Sequence, residues 1–208
     1  MIGLYAIALG TREGLPGARG EPLRVIPYDG LQVVCGEPAP ALSAEALRAH
    51  EAAVRRIAEA TEACLPARFG SSAADEESLL KAVASRANDW AEALQLVRGR
   101  EQMTLRIYGT RPPLTGSAGP GTRYLEARLQ AQTVPELEPL RAALSGISRA
   151  ERIEAYSEPG LIASVYHLID RGRSVEYLRV VESGRLEPLR ATASGPWPAW
   201  SFAPELAP

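Results

Sequence analysis

The best opening of a catalytic motif in this chain is His50-Glu51. A zinc protease helix needs H-E-x-x-H, because two histidines one turn apart hold the metal while the glutamate works as base. Position 54 is valine, so that chemistry fails. His167 is the only other histidine, which leaves little material for general acid–base work. Lys81, the sole lysine, follows Leu80 and is not in a phosphate-binding Gly-Lys-Ser/Thr setting. Gly119-Pro-Gly121 runs into Thr-Arg-Tyr, which is no dinucleotide fingerprint, and no G-x-S-x-G elbow occurs. Cys35 and Cys64 form no C-x-x-C pair; two buried, reduced thiols are expected. Carboxylates such as Glu76, Glu77, Glu136 and Glu138 read as solvated faces and helix caps. The residues therefore predict no catalytic group, no metal site and no cofactor.

The elements that would position these residues begin with residues 43–70. Leu47, His50, Val54, Ile57 and Thr61 recur at steps of three and four, the period of an amphipathic helix. Ser43 can cap it and Glu45 suits its positive first turn. Pro66 stops any continuation, so CLPARF is extended and ends at Gly70. Before this helix, 2–9 is an aliphatic strand and 10–21 a flexible Gly/Arg surface loop; 23–28 and 31–35 form a hairpin about Asp29-Gly30. After it, 75–97 reads as one long helix whose seam is Leu80, Val83, Ala87, Trp90, Leu94 and Val97.

From Glu101 the pattern changes. Met103, Leu105 and Ile107 alternate in a strand. A Pro/Gly/Ser-rich stretch follows, then helical residues 122–132, with Pro135 restarting a helix to about 144. Strands at 151–156 and 161–169 flank a turn at 158–160. A helix over 172–182 turns Val175, Leu178 and Val181 to one side, and 186–193 is a last strand. The order β-α-β-β-α-β is that of a ferredoxin-like fold. The fold class is thus α+β with two small domains: a mixed ββ(β)αβα unit over residues 1–99 and a ferredoxin-like unit over 100–194. Residues 195–208, with four prolines, form an extended tail laid on the protein.

Composition limits the partners. The formal net charge is −2 and charged residues make up 23% of the chain, so no general electrostatic pull toward nucleic acid exists. Tyr108 and Tyr166 stand isolated in their strands, too sparse for an RNA-binding sheet. No apolar run approaches the ~18 residues of a membrane span. The N-terminus lacks the basic start of a signal peptide, so the cytoplasm is the expected compartment. Two peptides stand out: LPARFG, with Pro66, Arg68, Phe69 and Gly70, and GPWPAWSF, with Gly195, Pro196, Trp197, Pro198, Trp200, Ser201 and Phe202. Both phenylalanines of the chain lie in them. Proline-bounded aromatics either plug a core edge or make a rigid docking surface.

The pairing of the block from His50-Glu51 to LPARFG with the terminal GPWPAWSF resembles the GvpL/GvpF family of gas vesicle proteins. So do MIGLYAIA, GLQVVCGEP, GREQMTLRIYG, TRYLEARL and LIASVYHLIDR, and the likeness covers nearly the whole chain. It implies two domains, the second ferredoxin-like. It implies a non-catalytic accessory or minor structural protein of gas vesicle assembly, located in the cytoplasm at the vesicle. Its implied partners are the hydrophobic shell protein and other accessory proteins. Ala67 departs harmlessly from the valine common there; Ala199-Trp200 replaces the common Pro-Tyr, and 122–150 is short for the family. The residues alone keep open an alternative: a small-molecule-binding or catalytic ferredoxin-like protein whose site, at the domain interface, would use His50, Glu51 and Arg68.

Overall fold

The computed structural model describes residues 1–110, 134, 137–156, 160–184 and 186–204. The helix expected over 122–132, the restart at Pro135 and residues 158 and 159 of the expected turn lie outside these residues. The chain divides into two compact units: Met1–Glu101 with Trp197–Pro208, and Gln102–Pro196. The second unit is thus inserted into the first.

In the first unit the strands are β1 (Ile2–Leu9), β2 (Arg24–Tyr28), β3 (Leu31–Gly36), β4 (Ala63–Pro66) and β5 (Ser72–Ala73). They pair antiparallel in the order β2-β3-β1-β4, with β5 also on β1. Central position explains the unbroken apolar run of β1, since a strand covered on both faces loses its alternation. The β2–β3 hairpin turns at Asp29 (φ 44°) and Gly30 (φ 76°), the left-handed pair that a two-residue hairpin needs. The β1–β3 register slips by one between Leu4 and Ala6, so Tyr5 is the extra residue of a bulge. Both cysteines are buried and neither is in a disulfide.

Helix α1 (Ala44–Glu59) is capped by Ser43, whose hydroxyl accepts the Ala46 N–H at 3.1 Å. Its His50, Ala53, Val54 and Ile57 are buried, whereas Leu47, placed on the same stripe by spacing, is 44% exposed. Ala53, Val54 and Ile57 pack on Ala6, Ala8, Val34 and Cys64. The 10–21 segment is not a loose loop. Leu15 is buried, Leu23 donates to the Leu15 carbonyl at 2.8 Å, and Gly17 donates to Glu21 at 2.7 Å.

The single helix expected over 75–97 is two: α2 (Glu76–Ala84) and α3 (Ala87–Val97). Ser85 ends the first by turning its hydroxyl onto the Ala82 carbonyl at 2.8 Å, a local bond that competes with helix propagation. Arg86 leaves helical geometry (φ −135°, ψ 30°) and clamps Asp89 in the first turn of α3 at 2.8 Å. The apolar spacing runs across this break, which conceals it. In consequence Leu79, not Leu80, faces the core beside Val83, while Trp90, Leu94 and Val97 keep their places.

The second unit is built from β6 (Arg100–Gly109, from Gln102 on), α4 (Glu138–Leu144), β7 (Ser148–Ala155), β8 (Gly160–Asp170), α5 (Ser174–Ser183) and β9 (Arg190–Trp197, as far as Pro196). Its sheet runs β7-β8-β6-β9: counted within this unit, second, third, first, fourth, the order of a ferredoxin-like sheet. One face packs Met103, Leu105, Ile107, Val165 and Ile169 against Leu140 and Leu144 of α4 and Tyr177 and Val181 of α5. Val175, expected on the inner side of α5, is 65% exposed, and Tyr177 takes that role. The last strand starts at Arg190 rather than 186, because Leu186–Leu189 closes a turn through a 2.6 Å backbone bond. That strand continues to Trp197 and is followed by a 3-10 turn, Trp200–Phe202. Residues 195–202, expected as part of an extended tail laid on the protein, are therefore the end of a strand and a 3-10 turn, and Phe202 is 1% exposed.

Candidate functional site

In the first unit the two unusual peptides meet around His50. Burial removes this imidazole from water and pushes its pKa down; the Ala67 carbonyl opposes the shift without reversing it. The ring is therefore neutral near pH 7, and Nε2–H donates to that carbonyl at 3.1 Å. Three rings surround it. Tyr5 stacks on it at 5.2 Å between centroids, Phe69 meets it edge-on at 5.7 Å, and Trp200 lies tilted at 6.2 Å. The bulge in β1 and the position of His50 on the inner stripe of α1 bring the first pair together. Tyr5 is fixed at its far end: its hydroxyl donates to Glu21 at 2.7 Å and accepts the Ala18 N–H at 3.1 Å. Burial is the largest influence on this phenol, whose pKa is pushed up to about 12.

The edge of this cluster is partly exposed. Phe69, Trp197 and Trp200 are each half-buried, and the Arg55 guanidinium sits 5.0 Å from the centre of the Trp197 ring, within cation–π range. Arg68 is exposed. It lines a cavity of about 140 Å³ with Pro66, Trp90, Trp200, Ala203 and Pro204, among others. By strand alternation this is the sheet face bearing Ile7 and Leu65, which also line it. His50 lines a different cavity of about 10 Å³, and Glu51 lines neither. Glu51 instead takes Arg55 at 3.4 Å, one turn along α1. Gly70 has φ 84° with open space about it, so its left-handed backbone is what calls for glycine.

Of the residues singled out by sequence, His50, Phe69 and Trp200 form one cluster, with Trp197 under Arg55 beside it. Pro66 and Arg68 share the neighbouring cavity with Trp200. Pro198 and Phe202 are buried, and Ser201 lies in the 3-10 turn. Gly195 and Pro196 belong to β9 within the second unit. Sequence reasoning missed Tyr5 and Arg55. Tyr5 is lost inside an apolar strand, and only a bulge aims it at His50. Arg55 carried a faint signal, one turn after Glu51 on the same helix.

The second unit holds its own polar cluster. His167 Nε2–H donates to Glu151 at 3.0 Å, and the Tyr177 hydroxyl donates to Nδ1 at 2.7 Å. Arg141 reaches both Glu151 oxygens at 3.1 and 3.2 Å. The His167 bond, then Arg141, holds the Glu151 carboxyl below its usual range against the opposing effect of burial. The line of carboxylate, imidazole and phenol is that of an acid–base relay, but Tyr177 is fully buried and both imidazole nitrogens are taken. The cluster ties β7, β8, α4 and α5 together. Neither cluster presents an accessible base beside a nucleophile. Among the described residues, no three His, Cys, Asp or Glu side chains converge as metal ligands, and no helix is long and apolar enough to cross a membrane.

Comparison with known proteins places these features in a family. The family described as "Gas vesicle synthesis protein GvpL/GvpF" matches residues 3–204. Gas vesicle protein L of Streptomyces sp. (strain CB03234) is 24% identical over 232 residues, covering 92% of this chain and 86% of that relative. The crystal structure of GvpF from Microcystis aeruginosa superposes with a TM-score of 0.72 at 16% identity, over 98% of each chain. GvpF from Anabaena sp. PCC7120 gives 0.69 at 19%, over 98% of this chain and 95% of that one. At such identities the two structures bear on the fold alone, and that fold is shared.

Proposed function

This chain belongs to the GvpL/GvpF family of gas vesicle synthesis proteins, and we propose that it is a non-catalytic assembly factor that binds the hydrophobic shell protein through the aromatic edge around His50. One observation carries the reading: the two blocks that most strongly suggested the family, far apart in sequence, meet at the buried His50, where each sets a half-buried ring, Phe69 and Trp200, against it. A shell subunit exposes apolar surface until it is assembled. Rigid aromatics flanked by guanidinium groups are the side chains that dominate protein interfaces. The neutral, hydrogen-bonded His50 supports the rings from behind. Action in the cytoplasm, before or during shell growth, and contact with other gas vesicle accessory proteins belong to the same proposal.

The test is co-expression with the shell protein followed by affinity capture. The Trp197→Ala/Trp200→Ala double variant should fold, since both rings are half-buried, yet recover at least tenfold less shell protein. A loss of about 1.4 kcal/mol of binding accounts for that factor. Normal capture by a folded double variant would overturn the proposal.

A further inference from the structure

We infer that the sheet face of the second unit not covered by α4 and α5 is a docking surface for an acidic segment of a partner protein. Strand alternation puts Arg106 and Tyr108 of β6, Arg152 of β7, Tyr166 of β8 and Arg190 of β9 on this face, with Tyr156 just past β7. Arg152 lies directly across from Tyr166 in the ladder. Arg106, Arg152, Arg190 and Tyr156 are exposed, and Tyr108 and Tyr166 are half-buried. At the other end of the face Gln102, Thr104 and Leu168 are buried, so the available area is confined to this end. With strands about 4.8 Å apart it spans roughly 14 Å across the sheet.

The charge balance decides the partner. Among the described residues, the exposed guanidinium groups of Arg106 and Arg190 share this face with one carboxylate, Glu154, which is held by the hydroxyls of Tyr156 at 3.0 Å and Tyr166 at 2.5 Å. The Arg190 guanidinium lies 6.0 Å from the centre of the Tyr108 ring, which leaves its outer edge for a carboxylate. An acidic peptide can set separate carboxylates opposite Arg106 and Arg190 and lay an apolar side chain over the tyrosines. A nucleic acid strand fits less well, because it carries a phosphate at every step and must pass Glu154 between the two tyrosines. The chain as a whole is acidic, with a formal net charge of −2, so this patch is a local reversal and not part of a general basic field. The inference is independent of the shell-protein reading, which concerns the other unit.

The experiment is fluorescence anisotropy with the full chain and three labelled twelve-residue probes: Glu-Ala-Leu-Glu repeats, the same peptide with lysine for glutamate, and oligouridylate. The acidic peptide should bind, weaken as salt is raised, and lose about tenfold or more in affinity to the Arg106→Gln/Arg190→Gln variant. Both side chains are exposed, so the variant keeps its fold, which far-UV circular dichroism checks. Failure of the wild type to bind the acidic peptide, equal binding by the variant, equal binding of the lysine peptide, or tighter binding of oligouridylate would each overturn the inference.

Discussion

Replacing Phe202 by alanine tests whether the terminal segment is part of the first unit or merely lies on it. Phe202 is among the largest fully buried side chains, at 1% exposure, and is set by a 3-10 turn whose Phe202 N–H bonds the Ala199 carbonyl at 3.1 Å. Truncating such a ring costs about 3–5 kcal/mol, the lost transfer energy plus the cavity left behind. For a unit of this size the thermal midpoint should fall by roughly 10 °C or more. The protein supplies its own reporter. Its three tryptophans, Trp90, Trp197 and Trp200, all lie in the first unit, so tryptophan emission follows that unit alone. A Trp200→Ala control removes a half-buried ring from the rim and should cost only about 1–2 kcal/mol. If Phe202→Ala lowered stability by less than about 1 kcal/mol, the ring would not be held in a core and the segment would be a dispensable tail.

Two further outcomes follow from the same packing. A Cβ on Gly3 would stand 2.4 Å from the Glu37 carbonyl oxygen, whereas one on Gly30 would meet nothing within 4 Å. Gly3→Ala should therefore destabilise by about 2 kcal/mol or more through backbone displacement, and Gly30→Ala by only about 1 kcal/mol from its left-handed backbone; urea titration ranks the two, and the reverse order would contradict the geometry. In the second unit the folded-state pKa of Glu151 is depressed, so its contribution is present above the ordinary glutamate range and is lost as pH falls through the lower folded value. Glu151→Gln should flatten that acid limb and cost about 1–3 kcal/mol near neutral pH, read by hydrogen exchange at the amides of His167 and Tyr177; an unchanged acid limb would mean the carboxylate is not coupled to folding.

Local signals were legible where a residue type permits one conformation. Asp29-Gly30 marked its hairpin, Ser43 its helix start, and Met103, Leu105 and Ile107 their buried face. The α2–α3 break escaped because the apolar period continues across Ser85-Arg86 while the cause of the break is a side-chain hydrogen bond. Leu80 and Val175 were placed on buried stripes that Leu79 and Tyr177 occupy instead, for a related reason: spacing gives a stripe, but its rotation is set by what it packs against. At the site, the pairing of LPARFG with GPWPAWSF was legible only as a resemblance. Their meeting at His50 depends on a return of the chain from the inserted unit, which no local pattern encodes. The arginine–tyrosine face was hidden likewise. Tyr108 and Tyr166 are isolated in sequence, and only the order β7-β8-β6-β9 sets them on one surface.

The insertion also fixes an order of events during synthesis. Trp197–Phe202 belong to the first unit, where Phe202 is buried, and the ribosome makes residues 102–196 in between. At about 5–20 residues per second that interval lasts roughly 5–20 s. For that time the nascent first unit stands with the seat of Phe202 unfilled, while the inserted unit, whose residues are contiguous, can fold as it emerges. The aromatic surface at His50 is complete only once Trp200 has arrived, so the proposed capacity to hold a shell subunit is the last property the growing chain acquires.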